Sequence, residues 1–415
     1  MRVMVLGSGG REHALCWKIA QSPRLTKLWC APGNPGTAQV AENLAVNPED
    51  PAVVTALARE RAVDLLVVGP EAPLVAGVGD ALGRAGIAVF GPDAAAARIE
   101  GSKAFAKEIM SAANVPTAAW RAFTDGREAE AYARAKGRIV VKADGLAAGK
   151  GVVVATSAEE AAQAVRELSA SPSGQRLVLE EMLEGEEVSV IALCDGERYV
   201  LLPPARDHKR VGEGDTGPNT GGMGAFAPAG SLDAAGLDEV GRAVIAPTLA
   251  ELARRGHPFR GALYAGLMLT PEGVRVLEFN CRFGDPETQV LMLALNEDLL
   301  PLLDACARGR LEPRRLRVAM GLAVGVVLAA ENYPRAPRLG DPIEGIDGAP
   351  EDVQIFHAGT RSEGGGRLVT AGGRVLTVCA RRDTAAQARA AAFECVARIR
   401  FRGMHYRRDV AARAG

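Results

Sequence analysis

The chain has 415 residues, 48% apolar and 24% charged, which is the balance of a globular protein with ample core material. Its 49 basic and 50 acidic residues leave a formal net charge of −1, which argues against a nucleic-acid coat or an electrostatic membrane binder. Seven widely spaced cysteines without a Cys-x-x-Cys pair, no signal-peptide pattern and no bilayer-length apolar run lead to the expectation of a cytoplasmic chain with reduced thiols, in roughly two to four domains.

Residues 2–6 read as a buried strand that runs into Gly7-Ser-Gly-Gly-Arg-Glu12, and a helical pattern continues to about Gln21. Strand, glycine turn, helix opens a doubly wound α/β unit. A dinucleotide site is disfavoured, because Glu12 stands where Gly-x-Gly-x-x-Gly needs a small third residue, and residues 28–33 lack the acidic ribose ligand. An anion at the helix N-terminus, beside Arg11, stays open. The loops 31–37 and 69–73 also follow strand patterns, and all three loops fall on the sheet edge where parallel sheets collect ligands. Glu71 there suits a sugar hydroxyl or an amine, and equally a helix N-terminus.

A helix carrying Lys103 and Lys107 follows and is broken at Val115-Pro116. Residues 117–187 then form an α+β segment around Lys142-Ala-Asp-Gly-Leu-Ala-Ala-Gly-Lys-Gly151, between β-branched runs at 139–141 and 152–154. That pattern predicts a hairpin whose tip cannot pack a core. Gly145, Gly149 and Gly151 let backbone N–H groups approach an anion, and Lys142 and Lys150 add compact charge. The chain uses only eight lysines among 49 basic residues, so two within nine positions suggest a phosphate-cradling flap over a merely flexible turn.

Beyond it, an apolar strand from residue 177 becomes densely acidic by 188, and residues 205–210 lead into a glycine-rich stretch, 212–224. That stretch is too long for a connector in a compact domain and reads as a functional loop. A helix at 233–255 and a strand at 262–269 precede Val276-Leu-Glu-Phe-Asn-Cys-Arg-Phe-Gly-Asp-Pro-Glu-Thr-Gln289. Strand alternation puts Glu278 and Asn280 on one face, where a carboxylate beside an amide oxygen suits a hard cation that also takes phosphate oxygens. From about residue 311, strand patterns at 318–328, 353–358 and 375–380 and a helix at 384–398 make a third, α+β unit. Its basic tail, 400–409, reads as solvated or core-bracing.

The motifs GSGGREHAL (7–15), APGNPGTA (31–38), VGPEAPLV (68–75), EGSKAF (100–105), VKADGLAAGKGV (141–152), DHKRVGEGDTGPNTGGMGAF (207–226), LYAGLM (263–268), EFNCRFGDPETQ (278–289) and FHAGT (356–360) span nearly the whole chain. In this combination and order the chain resembles the glycinamide ribonucleotide synthetase (phosphoribosylamine–glycine ligase) family of the ATP-grasp superfamily.

The resemblance implies ATP-dependent joining of glycine to 5-phosphoribosylamine through a glycyl phosphate, in purine biosynthesis, with Mg2+ or Mn2+ as cofactor. It implies a multidomain α/β and α+β fold and a monomer. Residues 1–100 would be a doubly wound parallel-sheet domain that binds phosphoribosylamine. Residues 101–310 would be an ATP-grasp core with a mobile lid at about 117–187, and 311–415 a small α+β domain. By position, Lys103, Lys142 and the flap Gly145, Gly149, Lys150 and Gly151 would hold ATP phosphates, with Glu181 and Leu183 at adenine and Glu187 at ribose. Glu278 and Asn280 would hold the metal, and Arg282 the acyl-phosphate charge. Gly9, Gly10, Arg11, Asn34 and Glu71 would take phosphoribosylamine, and Asp207 and Asp285 glycine's ammonium. Three departures stand out: the strand at 262–269 lacks an acidic metal ligand that many ATP-grasp ligases carry, Arg206 precedes Asp207 where glutamine is frequent, and Asp409-Val410-Ala411 stands where Asp-Ile-Gly is common. The rival readings are another ATP-grasp ligase and a non-catalytic nucleotide-sensing module.

Overall fold

The computed structural model describes residues 1–146 and 151–414. Its first sheet is wholly parallel, in the order Glu42–Asn43, Lys27–Pro32, Arg2–Gly7, Leu65–Val68, Ala88–Phe90. The chain starts in the middle strand and winds outward in both directions, so the three strand-end loops expected to share an edge do so. Val3, Met4, Val5 and Leu6 are all buried, as a strand covered on both faces requires.

Two antiparallel sheets follow. One runs Trp120–Phe123, Leu177–Glu180, Ile139–Ala143, Val152–Ala155, and it includes the expected hairpin with Lys142 opposite Val152. The helices Gly126–Lys136 and Ala158–Ser169 belong to this unit; the first has an almost wholly charged and small-residue sequence and is not evident as an apolar pattern. Phe123, Val141, Val165 and Leu179 belong to a core cluster of its own. The other sheet runs Tyr199–Leu201, Glu186–Asp195, Arg260–Thr270, Gly273–Asn280, with the Glu278/Asn280 strand on its edge.

A five-stranded antiparallel sheet takes Leu322–Ala329, Arg374–Arg382 and Val353–His357 from the third unit, and Arg206–Asp207 and Gly224–Ala227 from the middle of the chain. The far end of the glycine-rich stretch is thereby stitched to the third unit, and the near end is stitched to the far end. The stretch itself is a two-stranded ribbon, Arg210–Gly212 against Thr216–Asn219, rather than an irregular loop. The expected long helix at 233–255 is present with a π turn, Gly241–Ile245, between Ala234–Val240 and Ala246–Arg254. Met4, Phe105, Val276 and Val324 share one core cluster, so the parallel sheet, the edge-strand sheet and the third unit pack as a common body, with the hairpin unit's core separate. Among the described residues, no helix is long and apolar enough to cross a membrane.

Candidate active site

The hairpin is fastened to the N-terminus of the helix Lys103–Ala112. Ser102 caps that helix, its Oγ accepting from the Phe105 N–H (3.1 Å) and donating to Asp144 (2.9 Å). Asp144 also accepts from the Ala104 N–H at 3.1 Å, so a carboxylate from the hairpin lies at the positive end of the helix. Lys103 donates to the Gly145 carbonyl at 2.9 Å, and the Ala143 N–H donates to the Gly151 carbonyl at 2.8 Å. Gly145 and Gly151 are thus placed at the hairpin tip; Gly149 and Lys150 lie outside the described residues.

Beneath the tip, Glu180 receives two lysines, with Lys107 and Lys142 Nζ each 2.9 Å from its carboxylate and all three side chains buried. Lys142 also donates to the Leu277 carbonyl (2.9 Å), and Lys107 to Thr117 (2.7 Å), which in turn donates to the Val276 carbonyl (2.6 Å). Burial, followed by repulsion from Lys142, brings the Lys107 ammonium down to about 8 against the pull of Glu180. Two cations on one carboxylate, with Lys103 near by, leave a local excess of positive charge of the kind a polyphosphate neutralises.

Across from the lysines lies an acidic group. Burial pushes the Glu278 carboxyl up, yet Lys209, Lys142, Lys103 and Arg282 together hold it below the usual carboxylate range. Lys209 is 2.7 Å from Glu187, which keeps that ribose candidate on an ion pair. Tyr264 Oη donates to Glu287 (2.9 Å), and Ser189 Oγ is 2.7 Å from Tyr264 Oη. Asp207 belongs to the same group: burial first, then the charges of Glu287, Glu187 and Glu278, raise it to about 7 despite Lys209.

Glu278 and Asn280 are half-buried, and their side-chain oxygens have no hydrogen-bond or ion-pair partner among the described residues. An ionised carboxylate and an amide oxygen left open beside phosphate-seeking lysines fit a hard divalent cation. Among the described residues no group of three or more His, Cys, Asp or Glu is arranged for a metal, so these two side chains would be its protein ligands, with phosphate and water completing the shell.

The sugar-phosphate candidates meet on the parallel-sheet edge but are mostly engaged with one another. Glu12 folds back so that its carboxylate accepts from the Gly9 N–H and from Arg11 Nε, both at 2.5 Å, and Arg11 also donates to the Phe283 carbonyl (3.1 Å). Any side chain at Gly69 would place its Cβ 2.1 Å from Glu12 Oε1; the glycine gives the carboxylate its room. Glu12 thus fills the crevice that a dinucleotide pyrophosphate would use. Gly10, at the helix start, packs on Gln289, whose Nε2 lies 2.6 Å from where a Gly10 Cβ would be. The Asn34 amide donates to the carbonyls of Ser8 and His357 (both 2.8 Å) and accepts from the N–H groups of Gly36 (2.8 Å) and Thr37 (3.0 Å). Arg282 bridges Glu71 (3.2 Å) and Glu100 (2.7 Å). Asp285 accepts from Gln289 (2.8 Å) and faces Arg374 at 3.4 Å.

At the position expected to hold adenine, the Glu181 N–H is taken by the Ala119 carbonyl (2.8 Å); its carbonyl and the Leu183 N–H have no backbone partner among the described residues. Sequence reasoning missed Glu180, Lys107, Glu100, Lys209 and Glu287 as site residues. Lys107 and Lys209 carried a signal in the rarity of lysine; buried Glu180 and Glu287 stood beside motif residues without one.

Comparison with known proteins follows this geometry. Family models described as the N domain, the ATP-grasp (A) domain and the C domain of phosphoribosylglycinamide synthetase match residues 1–100, 101–288 and 323–413. The phosphoribosylamine–glycine ligases of Rhizobium meliloti and Streptomyces coelicolor are 50% and 52% identical, each over 100% of this chain and 99% of the relative. The crystal structure of phosphoribosylamine–glycine ligase from Thermotoga maritima superposes with TM-score 0.86 at 36% identity, covering 99% of this chain and 100% of that one. The biotin carboxylase domain of Hydrogenobacter thermophilus 2-oxoglutarate carboxylase, solved with MgADP and bicarbonate, shares the fold (TM-score 0.73, 18% identity, 98% of this chain and 91% of that one). The full-length matches, in the domain order of that family and at about half identity, make this chain a member of the phosphoribosylglycinamide synthetase family of ATP-grasp ligases.

Proposed function

We propose that the chain joins glycine to 5-phosphoribosylamine at the expense of ATP, giving glycinamide ribonucleotide, ADP and phosphate in purine biosynthesis. The observation that carries this reading is the pairing of surplus lysine charge at Lys103, Lys107 and Lys142 with the open oxygens of Glu278 and Asn280, in a chain whose full-length relatives bear this ligase name.

A carboxylate is a poor electrophile, so a carboxylate oxygen of glycine first attacks the γ-phosphorus of ATP and ADP leaves. The amine of phosphoribosylamine then attacks the carbonyl carbon of glycyl phosphate, the C–O bond to phosphate breaks, and the amine gives up a proton. Such transfer asks mainly for positioning and charge neutralisation. Lys103 and Lys142 neutralise the phosphates under the hairpin containing Gly145 and Gly151. Glu278 and Asn280 would hold Mg2+ or Mn2+, which would screen the phosphate charge there. The Glu181 carbonyl and Leu183 N–H offer one acceptor and one donor to adenine, and Glu187 faces the ribose. Asp207 and Asp285 receive glycine's ammonium. Arg282, steadied by Glu71 and Glu100, meets the acyl-phosphate charge, while Gly9, Gly10, Arg11, Asn34 and Glu71 shape the sugar-phosphate edge.

The division into 1–100, 101–310 with a lid at about 117–187, and 311–415 belongs to the same proposal; the lid's separate core supports it as the moving part. A monomer belongs to the proposal too. Seven free, buried thiols support a reducing cytoplasm.

Freshly prepared phosphoribosylamine, glycine and ATP with either metal test the reading, with the amide product followed by mass. ATP consumption strictly dependent on both glycine and the sugar amine is expected. Turnover with bicarbonate in place of glycine would replace it with the rival ATP-grasp reading, and ATP binding without ligation would favour a nucleotide sensor.

A further inference from the structure

The basic C-terminal segment has no part in the chemistry above, yet it holds one of the least solvent-exposed charges among the described residues. Arg407 is only 1% exposed. Its guanidinium forks onto Asp409 (Nε to Oδ1 2.8 Å, Nη2 to Oδ2 2.6 Å) and reaches Asp215 (2.7 Å) and the Arg210 carbonyl (3.0 Å). Asp215 and Arg210 belong to the glycine-rich ribbon that follows Asp207 and Lys209. Further bonds run between the same two segments. The Gly214 N–H donates to Asp409 (2.9 Å), the Arg408 N–H to Glu213 (3.1 Å), and His405 Nε2 lies 2.9 Å from the Val211 carbonyl.

The last tie is the most direct. The Ala411 N–H donates to His208 Nε2 at 3.1 Å, which requires that ring nitrogen to be unprotonated. Burial, then Arg407, lowers the imidazole to about 4, so this acceptor persists at neutral pH. His208 stands between Asp207 and Lys209 in an extended segment whose backbone pairs with residues 223–226. Its ring is held by the tail, while Asp207 and Lys209 face Glu187, Glu278 and Glu287. The far end of the stretch is pinned by the same unit, with the Gly221 N–H on Tyr333 Oη (3.0 Å) and Arg374 on the Gly221 carbonyl.

We propose that residues 405–411 are a strap that sets where Asp207 and Lys209 stand, with Arg407 and His208 as positioning residues for the amino-acid end of the site. Six of the thirteen residues at 212–224 are glycine, so the ribbon has few side chains to pack; threonine hydroxyls bond it locally, and a rigid fork from another unit fixes its place. The assignment of the amino-acid end rests on the ligase reading above.

His208→Leu and His208→Gln in the full chain test the strap, with Arg407→Met as a second, larger break. Leucine removes the acceptor; the glutamine Oε1 restores one at the position of Nε2. For His208→Leu, kcat/KM for glycine is expected to fall on the order of 10²-fold, the scale for misplacing a group by about 1 Å, while KM for ATP rises far less, through the Lys209–Glu187 pair alone, and His208→Gln recovers most of the loss. Hydrogen exchange should accelerate across 208–224 in the leucine and Arg407→Met variants and remain unchanged in the 139–155 hairpin. Equal losses for glycine and ATP, no rescue by glutamine, or unchanged exchange at 208–224 would overturn the proposal. Absence of ligation in the unsubstituted chain would sink the ligase reading instead, and the exchange measurement would still judge the strap.

Discussion

The two halves of the site handle charge in opposite ways. On the proposed nucleotide side, Lys107 and Lys142 share one carboxylate, and among the described residues Lys103 is satisfied only by a backbone carbonyl and Glu278 and Asn280 keep open oxygens. On the parallel-sheet side, Arg11 is matched by Glu12, Arg282 by Glu71 and Glu100, and the Asn34 amide is bonded on both its nitrogen and its oxygen. Buried charge left uncompensated marks where a ligand supplies the missing partner; compensated charge builds a wall. Side chains of the first kind are expected to govern turnover, and those of the second kind stability, with Arg282 answering to both because its guanidinium also meets the acyl phosphate in the proposed reaction.

Substitutions can break that contrast. The largest effect is expected for Glu278→Gln, which keeps shape and removes charge: turnover falls on the order of 10³-fold, the upper range for deleting one preorganised electrostatic partner, with an unchanged unfolding midpoint. Near-normal turnover at saturating metal would take Glu278 out of the site. Lys107→Met should act on the fold as well, because it leaves Glu180 with one buried partner in place of two. A loss of about 1–3 kcal/mol in denaturant unfolding is expected, the scale for leaving buried acceptors on Glu180 and Thr117 short of a donor, since Lys142 still compensates the charge.

Asn34→Ala sits on the other side of the comparison. It orphans the N–H groups of Gly36 and Thr37, and about 1–3 kcal/mol of stability should be lost with little change in KM for phosphoribosylamine. A large KM effect with intact stability would make Asn34 a substrate ligand and blur the contrast.

The smallest effect is a pH dependence. Asp207 keeps its proton to about pH 7 when folded, against 3.8 as the ordinary value. Its contribution to the stability of the unliganded protein is therefore fully present below the unfolded value and is lost as pH rises through about 7. In the proposed site glycine's ammonium meets the ionised form, so KM for glycine should climb as pH falls below about 7, approaching tenfold per unit, and Asp207→Asn should flatten that limb. A limb unchanged in the asparagine variant would assign it to another group.

Most of the architecture was legible because each element announced itself locally. Buried β-branched strands separated by glycine turns gave the parallel sheet, and β-branched runs flanking Lys142–Gly151 gave the hairpin. Period-two alternation put Glu278 and Asn280 on one face. The helix Gly126–Lys136 escaped because its sequence, GREAEAYARAK, offers almost no apolar stripe and leans on alanines Ala129 and Ala133 for packing. What no local pattern can carry is pairing between distant segments. Glu180 was an acidic residue at the end of an apolar strand until two lysines arrived at it, one from 38 residues upstream and one from 73 (180 − 142 and 180 − 107). Glu12 was recognised as a misfit to the dinucleotide pattern, but only the fold shows its carboxylate occupying the crevice. The tail read as bracing, and its partner, a ribbon nearly two hundred residues away, lay beyond any sequence window.

The most direct test of the central claim follows oxygen. Glycine labelled with 18O in both carboxylate positions, turned over with ATP and phosphoribosylamine, should deliver one labelled oxygen to inorganic phosphate and keep the other in the amide. Phosphate free of label, with amide formed, would contradict a glycyl phosphate and with it the account of why lysines and open oxygens face one another here.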